Sequence, residues 1–371
     1  MATVRTRRRR IAIGAGCGLA IAAFAFGVEL SDRSGPPPSV ASGLPLAGLA
    51  GQRIVAGFGG TEPPRQVVRM INRGELAGVI LFAENLPSRA AGKQLVRRLQ
   101  SIPRPPGLRE PLLVMVDQEG GQVQRIEGAP AASAKQMGAA GAAFSHGQGR
   151  ATAANLRAAG VNVDLAPVLD LARPGGTIAD TERGFGSTTA RVTATAIPFA
   201  TGLKEGGVAA TAKHFPGLGA ADENTDFEAQ RIDLSKQTLR AVDEAPYRRF
   251  IARGGAIVML STAIYPAFSP RPAAFARSIA SGELRSRLGF GGVSITDALE
   301  SAAVGEFGGP AKAALAAAGA GTDLLLFTDY RAGARAGGAL LGALRTGSLD
   351  RAAFETSVGR VLRLRHRLGR G

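Results

Sequence analysis

A (β/α)8 TIM barrel, an α/β fold in one catalytic domain, is what this 371-residue sequence predicts. Three observations predict it. Short, β-branched apolar runs recur eight times, helical stretches rich in Ala, Leu and Arg lie between them, and polar residues gather where the runs end. The runs are 53–58, 78–82, 112–116, 161–166, 208–213, 256–260, 292–295 and 323–327. Being apolar almost throughout, they suit parallel strands covered on both faces. Eight alternating units over this length fit a closed barrel.

The segments 89–100, 145–159, 191–205, 239–252 and 311–320 carry helical spacing, and 354–368 reads as a closing helix. An open doubly wound sheet is disfavoured, because no GxGxxG turn follows the first run. No break in composition marks a second folded domain, so 44–371 is read as one barrel domain. Ahead of it, Arg5 and Arg7 to Arg10 precede the apolar stretch Ile11 to Val28, with a small-x-small site at Ala23-Phe24-Ala25. Residues 1–30 are therefore expected to be a signal peptide or an uncleaved N-terminal membrane anchor with its basic end in the cytoplasm. Residues 31–43, with Pro36-Pro37-Pro38 among Ser and Gly, read as an extended linker. The folded part is expected outside the cytoplasm, secreted or anchored, and touching the membrane only through its N-terminal segment.

Composition narrows the function classes. Hydrophobic residues make up 45% and charged residues 20%, enough for a large core, while aromatics are only 5% and Trp is absent. The formal net charge of +16 comes from basic residues that are scattered apart from the N-terminal cluster and the tail Arg360, Arg363, Arg365, Arg367 and Arg370. Without interleaved aromatics to stack on bases, they are read as a soluble, Arg-rich surface and not as a nucleic-acid site. Cys17 is the only cysteine, so an intramolecular disulfide is excluded. His146, His214 and His366 are far apart and form no metal-ligand spacing. No metal is expected, nor any organic cofactor.

The polar residues at the run ends carry the functional signal. Asp117-Gln118-Glu119-Gly120-Gly121 follows the third run, Asp170 the fourth, Lys213-His214 ends the fifth, and Thr296-Asp297 ends the seventh. In a parallel barrel the loops after the strands converge over one mouth. Each residue alone could be a helix cap or turn former. Together they predict a site.

These segments resemble family 3 glycoside hydrolases. Gly78-Val79-Ile80-Leu81-Phe82 followed by Asn85 is similar to an early strand of that family, and Asp117 to Arg125 is similar to its DQEGGxVxR signature. Leu165 to Asp170, Arg183-Gly184-Phe185-Gly186, Lys213-His214-Phe215-Pro216-Gly217, Ile295 to Leu299 and Ala318 to Asp323 follow in the family's order. The resemblance spans Leu44 to Gly369. With no C-terminal sandwich domain in this sequence, it points to the short, single-barrel β-N-acetylhexosaminidase branch. It implies that Asp297 is the nucleophile of a retaining mechanism, and that Asp117, Arg125, Arg183, Lys213 and His214 bind the hydroxyl groups of a carbohydrate substrate. A helix N-cap is the plain alternative for Asp297, and salt bridges with Asp117 the alternative for the cations.

One loop departs from the family pattern. The short branch ends the loop after its KHFPG motif in Asp-Ser-His, whose His is the general acid/base. Here the loop runs Leu218 to Asp226, with Asn224 and Asp226 in place of the Asp and the His. Ser261-Thr262-Ala263 likewise stands where family members often carry a His. Three readings are open: Asp226, or Asp222 or Glu223, protonates the leaving group; the acid is missing and only activated substrates react; or the barrel binds sugar without turnover. The expectation is an exported, monomeric β-glycosidase acting on β-linked N-acetylglucosamine, in peptidoglycan fragments, with Asp297 and Asp226 catalytic. A β-glucosidase and a non-catalytic carbohydrate-binding barrel are the alternatives.

Overall fold

The computed structural model describes residues 39–370. Each predicted run holds a strand: β1 (Ile54–Ala56), β2 (Gly78–Ile80), β3 (Leu113–Val116), β4 (Val163–Asp164), β5 (Ala209–Phe215), β6 (Ile257–Leu260), β7 (Val293–Thr296) and β8 (Leu325–Phe327). All pairings are parallel, in the order β7-β6-β5-β4-β3-β2-β1-β8. The two ends of that order meet where Ile295 bridges Leu324 and the Thr296 N–H donates to the Leu324 carbonyl at 3.0 Å. The ring is closed, as a (β/α)8 barrel requires.

Alternation along the strands sorts their side chains into two layers. Val55, Ile80, Met115, Val163, Met259, Ile295 and Leu326 fill the interior. Their neighbours Ile54, Val79, Val114, Val258, Leu260 and Phe327 face outward under the helices. With no Trp in the chain, aliphatic residues and Met fill the interior layer, while Phe joins them in the outer one. The covering helices include Arg89–Ser101, Ala142–Ala158, Thr189–Glu205, Pro310–Ala320 and Tyr330–Thr346.

Two expectations shift. The helix predicted over 239–252 is split into a wide turn, Leu239–Asp243, and a helix, Ala245–Ala252. Pro246 explains the break: it has no N–H to donate and its ring crowds the preceding turn. The predicted linker 31–43 contains a short helix, Ser39–Ser42, in which Ala41 is buried, so folded structure begins before Leu44. The apolar segment within residues 1–30 lies outside the described residues. Among the described residues, no helix is long and apolar enough to cross a membrane.

The final helix, Arg351–Gly369, closes the N-terminal end of the barrel, where Val361 and Leu364 join the interior layer. This corrects the reading of the Arg-rich tail as surface for Arg365 and Arg360, while Arg367 and Arg370 are exposed. Arg365 is fully buried and donates to the carbonyls of Leu108, Glu110 and Pro111 and to the Gln52 side chain. Arg360 and Arg285 both clamp Asp323, just before β8, and buried Arg53 donates to the Asp323 carbonyl at 2.9 Å. Carbonyls ahead of the strands have no ladder partner of their own, and these guanidinium groups supply one. The opposite end of the barrel is left open for chemistry.

Candidate active site

Every residue predicted for the site follows, or ends, a strand at the open C-terminal mouth. Asp117 comes directly after β3, Lys213 and His214 lie in the last part of β5, and Asp297 comes directly after β7. A parallel bridge between Val168 and Lys213 carries the β4 loop alongside β5, which brings Asp170 to His214.

Lys213 is buried and linked to two carboxylates, Asp117 at 2.6 Å and Glu119 at 2.7 Å. Arg183 grips Glu119 in bidentate fashion at 2.8 and 2.7 Å, and Arg125 stands 3.8 Å from the other oxygen of Asp117. Burial alone would raise the Glu119 carboxyl, but the charges of Arg183 and Lys213 outweigh it and hold it far below the ordinary glutamate range. Burial likewise opposes the Lys213 ammonium, and Asp117 with Glu119 raises it above its usual value. Both groups stay charged across the physiological range. Asp117 and Arg125 are only partly buried, so this end of the network faces the mouth.

Glu119 is a residue that sequence reasoning left out of the site, although it sits inside the quoted motif. Its carboxylate couples Arg183 to Lys213, a role set by three elements distant in sequence. Gln118, also buried, ties the loop that carries Arg125. Its Oε1 accepts from the N–H groups of Arg125 and Ile126 at 2.9 and 3.0 Å, and its Nε2 donates to the carbonyls of Ile126 and Ala129. Gly120 adopts φ +90°, and a Cβ there would lie 2.2 Å from the Ala132 carbonyl oxygen, so only glycine makes this turn. Asp164, buried beneath the loop, accepts from the Gln118 N–H at 3.0 Å, and burial raises its carboxyl well above the ordinary range.

Asp170 organises the other half of the mouth. Fully buried, it pairs with His214 Nδ1 at 2.7 Å and accepts from the backbone N–H groups of His214 and Leu218. The loop from Gly217 to Asp226 starts there. The Tyr265 hydroxyl donates to the Gly217 carbonyl at 3.0 Å, and a Cβ on Gly217 would fall 2.7 Å from that of Asp243. At its far end the loop leans on the segment after β7, where the Ala302 N–H donates to the Asp226 carbonyl at 3.2 Å.

Asp297 is half-buried, and its Oδ1 accepts from the Ala298 N–H at 2.8 Å. It caps no helix, since the next helical turn is Ala302–Phe307. Asp226 is exposed at the rim and shares two hydrogen bonds with Asn224, at 3.0 and 3.3 Å. Partial desolvation in the mouth and the negative charge of Asp297 raise its carboxyl above the ordinary aspartate value, against the opposing pull of His214. Phe215 and Leu218 at the start of the loop are buried in the core, where the Phe215 ring meets Tyr247 edge-on at 5.1 Å. Asp222 and Glu223 are exposed on the same loop.

Residues 49–364 match the family model described as the glycosyl hydrolase family 3 N-terminal domain. The chain belongs to glycosyl hydrolase family 3. A relative from Arthroderma benhamiae, named an uncharacterized secreted glycosyl hydrolase, is 37% identical over 341 residues, covering 89% of this chain and 96% of the relative. A protein of Xylella fastidiosa named β-hexosaminidase is 35% identical over 285 residues, 74% of this chain and 82% of its own. Among solved structures, the family 3 β-N-acetylglucosaminidase from Paenibacillus sp. str. FPU-7 superposes with a TM-score of 0.84 at 35% identity. That match covers 88% of this chain, which spans 63% of the Paenibacillus chain. As a family 3 member, the protein is a glycoside hydrolase of the β-N-acetylhexosaminidase-like type.

Proposed function

We propose that the protein is an exported, retaining β-N-acetylglucosaminidase that works as a monomer on β-linked N-acetylglucosamine, in fragments of peptidoglycan. The observation that carries this reading is the meeting at one barrel mouth of Asp297 with the Asp117–Lys213–Glu119–Arg183 network. The network supplies charged acceptors and donors that a sugar's vicinal hydroxyls can bridge. Asp297 then has a glycosyl centre held in front of it. Its carboxylate attacks the anomeric carbon as the glycosidic bond breaks, giving a covalent glycosyl-enzyme.

In this mechanism Asp226 donates its proton to the departing oxygen, then takes one from the water that releases the sugar. Its raised affinity for a proton beside Asp297 supports the first role, and loss of the Asp297 charge on forming the ester supports the second. His214, oriented by Asp170, joins Asp117, Arg125, Arg183 and Lys213 in holding the sugar. The names of the Xylella and Paenibacillus relatives favour the N-acetylated sugar. Export is supported by the Arg-flanked apolar N-terminus and by the secreted relative.

The purified full chain should hydrolyse an aryl β-N-acetylglucosaminide far faster than the matching aryl β-glucoside. Preference for the glucoside would change the sugar assignment, and inertness towards both would point to a barrel that binds without turnover.

A further inference from the structure

Among the described residues, the large hydrophobic side chains left in water are Phe144, 44% exposed, and Phe227, 78% exposed. The tyrosines Tyr247, Tyr265 and Tyr330 are all buried. A Phe left exposed forgoes the free energy that burying its ring would release. Single exposed apolar residues are ordinary on protein surfaces, so position has to decide what this one does.

Phe227 directly follows Asp226, so their Cα atoms are about 3.8 Å apart. Its backbone is held: the Phe227 N–H donates to the Asn224 carbonyl at 3.0 Å, and the Asp226 carbonyl accepts from Ala302. The ring therefore stands on a fixed turn at the rim of the mouth, one residue beyond the carboxyl group that the proposed mechanism assigns to the leaving oxygen. The turn therefore carries an exposed benzyl side chain one residue from the carboxyl group beside which that oxygen would leave. An aromatic face carries partial negative charge and attracts the C–H face of a pyranose, while also shielding it from water.

We propose that Phe227 forms the wall of a leaving-group subsite and stacks on the sugar ring that departs. This rests on the reading of Asp226 as the acid. The test compares the wild-type full chain with Phe227→Ala and Phe227→Tyr on two substrates: a β-linked disaccharide of N-acetylglucosamine, and β-N-acetylglucosaminyl fluoride, whose leaving group is a single atom. The Ala variant should lose roughly three- to tenfold in kcat/KM on the disaccharide and nothing on the fluoride, while the Tyr variant stays near wild type on both. Equal losses on both substrates would mean that the ring merely holds the loop, and unchanged disaccharide cleavage would mean that it touches no leaving group; either overturns the proposal. Wild-type protein inert on both substrates would overturn the catalytic reading beneath it.

Discussion

A carboxyl group acts as an acid only while it keeps its proton, and Asp226 stands where the charge of Asp297 helps it do so. Because the acid form is the working one, cleavage of poor leaving groups should fall as pH rises through the Asp226 pKa. That pKa starts from an aspartate value, so the alkaline limb should lie below that of an enzyme using histidine. Asp226→Ala should cripple hydrolysis of a disaccharide by about 10²–10⁴-fold while sparing formation of the glycosyl-enzyme from activated aryl glycosides. Azide should restore the slow second step, since an anionic nucleophile needs no base; undiminished disaccharide hydrolysis would move the role to Asp222 or Glu223. At this scale the sequence is legible where a charged residue ends or follows an apolar run, as at Asp117, Lys213 and Asp297. Glu119 and Asp164 escaped notice because their work is done by partners 64 to 94 positions away or by a loop backbone above them.

At the scale of elements, the barrel is held from below by one helix. Arg360 and Arg285 converge on Asp323, whose carboxyl burial would raise but whose two guanidinium partners hold below the ordinary aspartate range. Asp323→Asn removes the buried carboxylate that two partly buried guanidinium groups share, and should cost about 3–5 kcal/mol in urea unfolding. The depressed carboxyl contributes its stability above about pH 4 and loses it as pH falls further, so wild type and variant should converge in stability in acid. KM of the folded variant should stay at the wild-type value, since Asp323 lies at the end of the barrel opposite the site. A destabilisation below 1 kcal/mol would show that the cluster contributes little. Apolar runs made the strands readable, because β-strand burial leaves a direct mark on composition. The buried arginines were misread, because an Arg satisfied by carbonyls of remote strands looks in sequence like any surface Arg. The split of the helix before Ala252 needed only the weight of Pro246.

For the whole molecule, a closed ring of parallel strands explains why residues spread from Asp117 to Asp297 share one mouth. If the N-terminal segment exports the chain, fractionation of native cells should find activity outside the cytoplasm, and activity confined to the cytosol would contradict export. The most direct test of the account is chemical. The full chain is incubated with a slow fluorinated N-acetylglucosaminyl fluoride, digested, and its peptides are weighed by mass spectrometry. One glycosyl adduct on the peptide carrying Asp297, absent in Asp297→Asn, is the predicted result. Active wild-type enzyme that never labels this peptide, or that labels another carboxylate, would contradict Asp297 as the nucleophile.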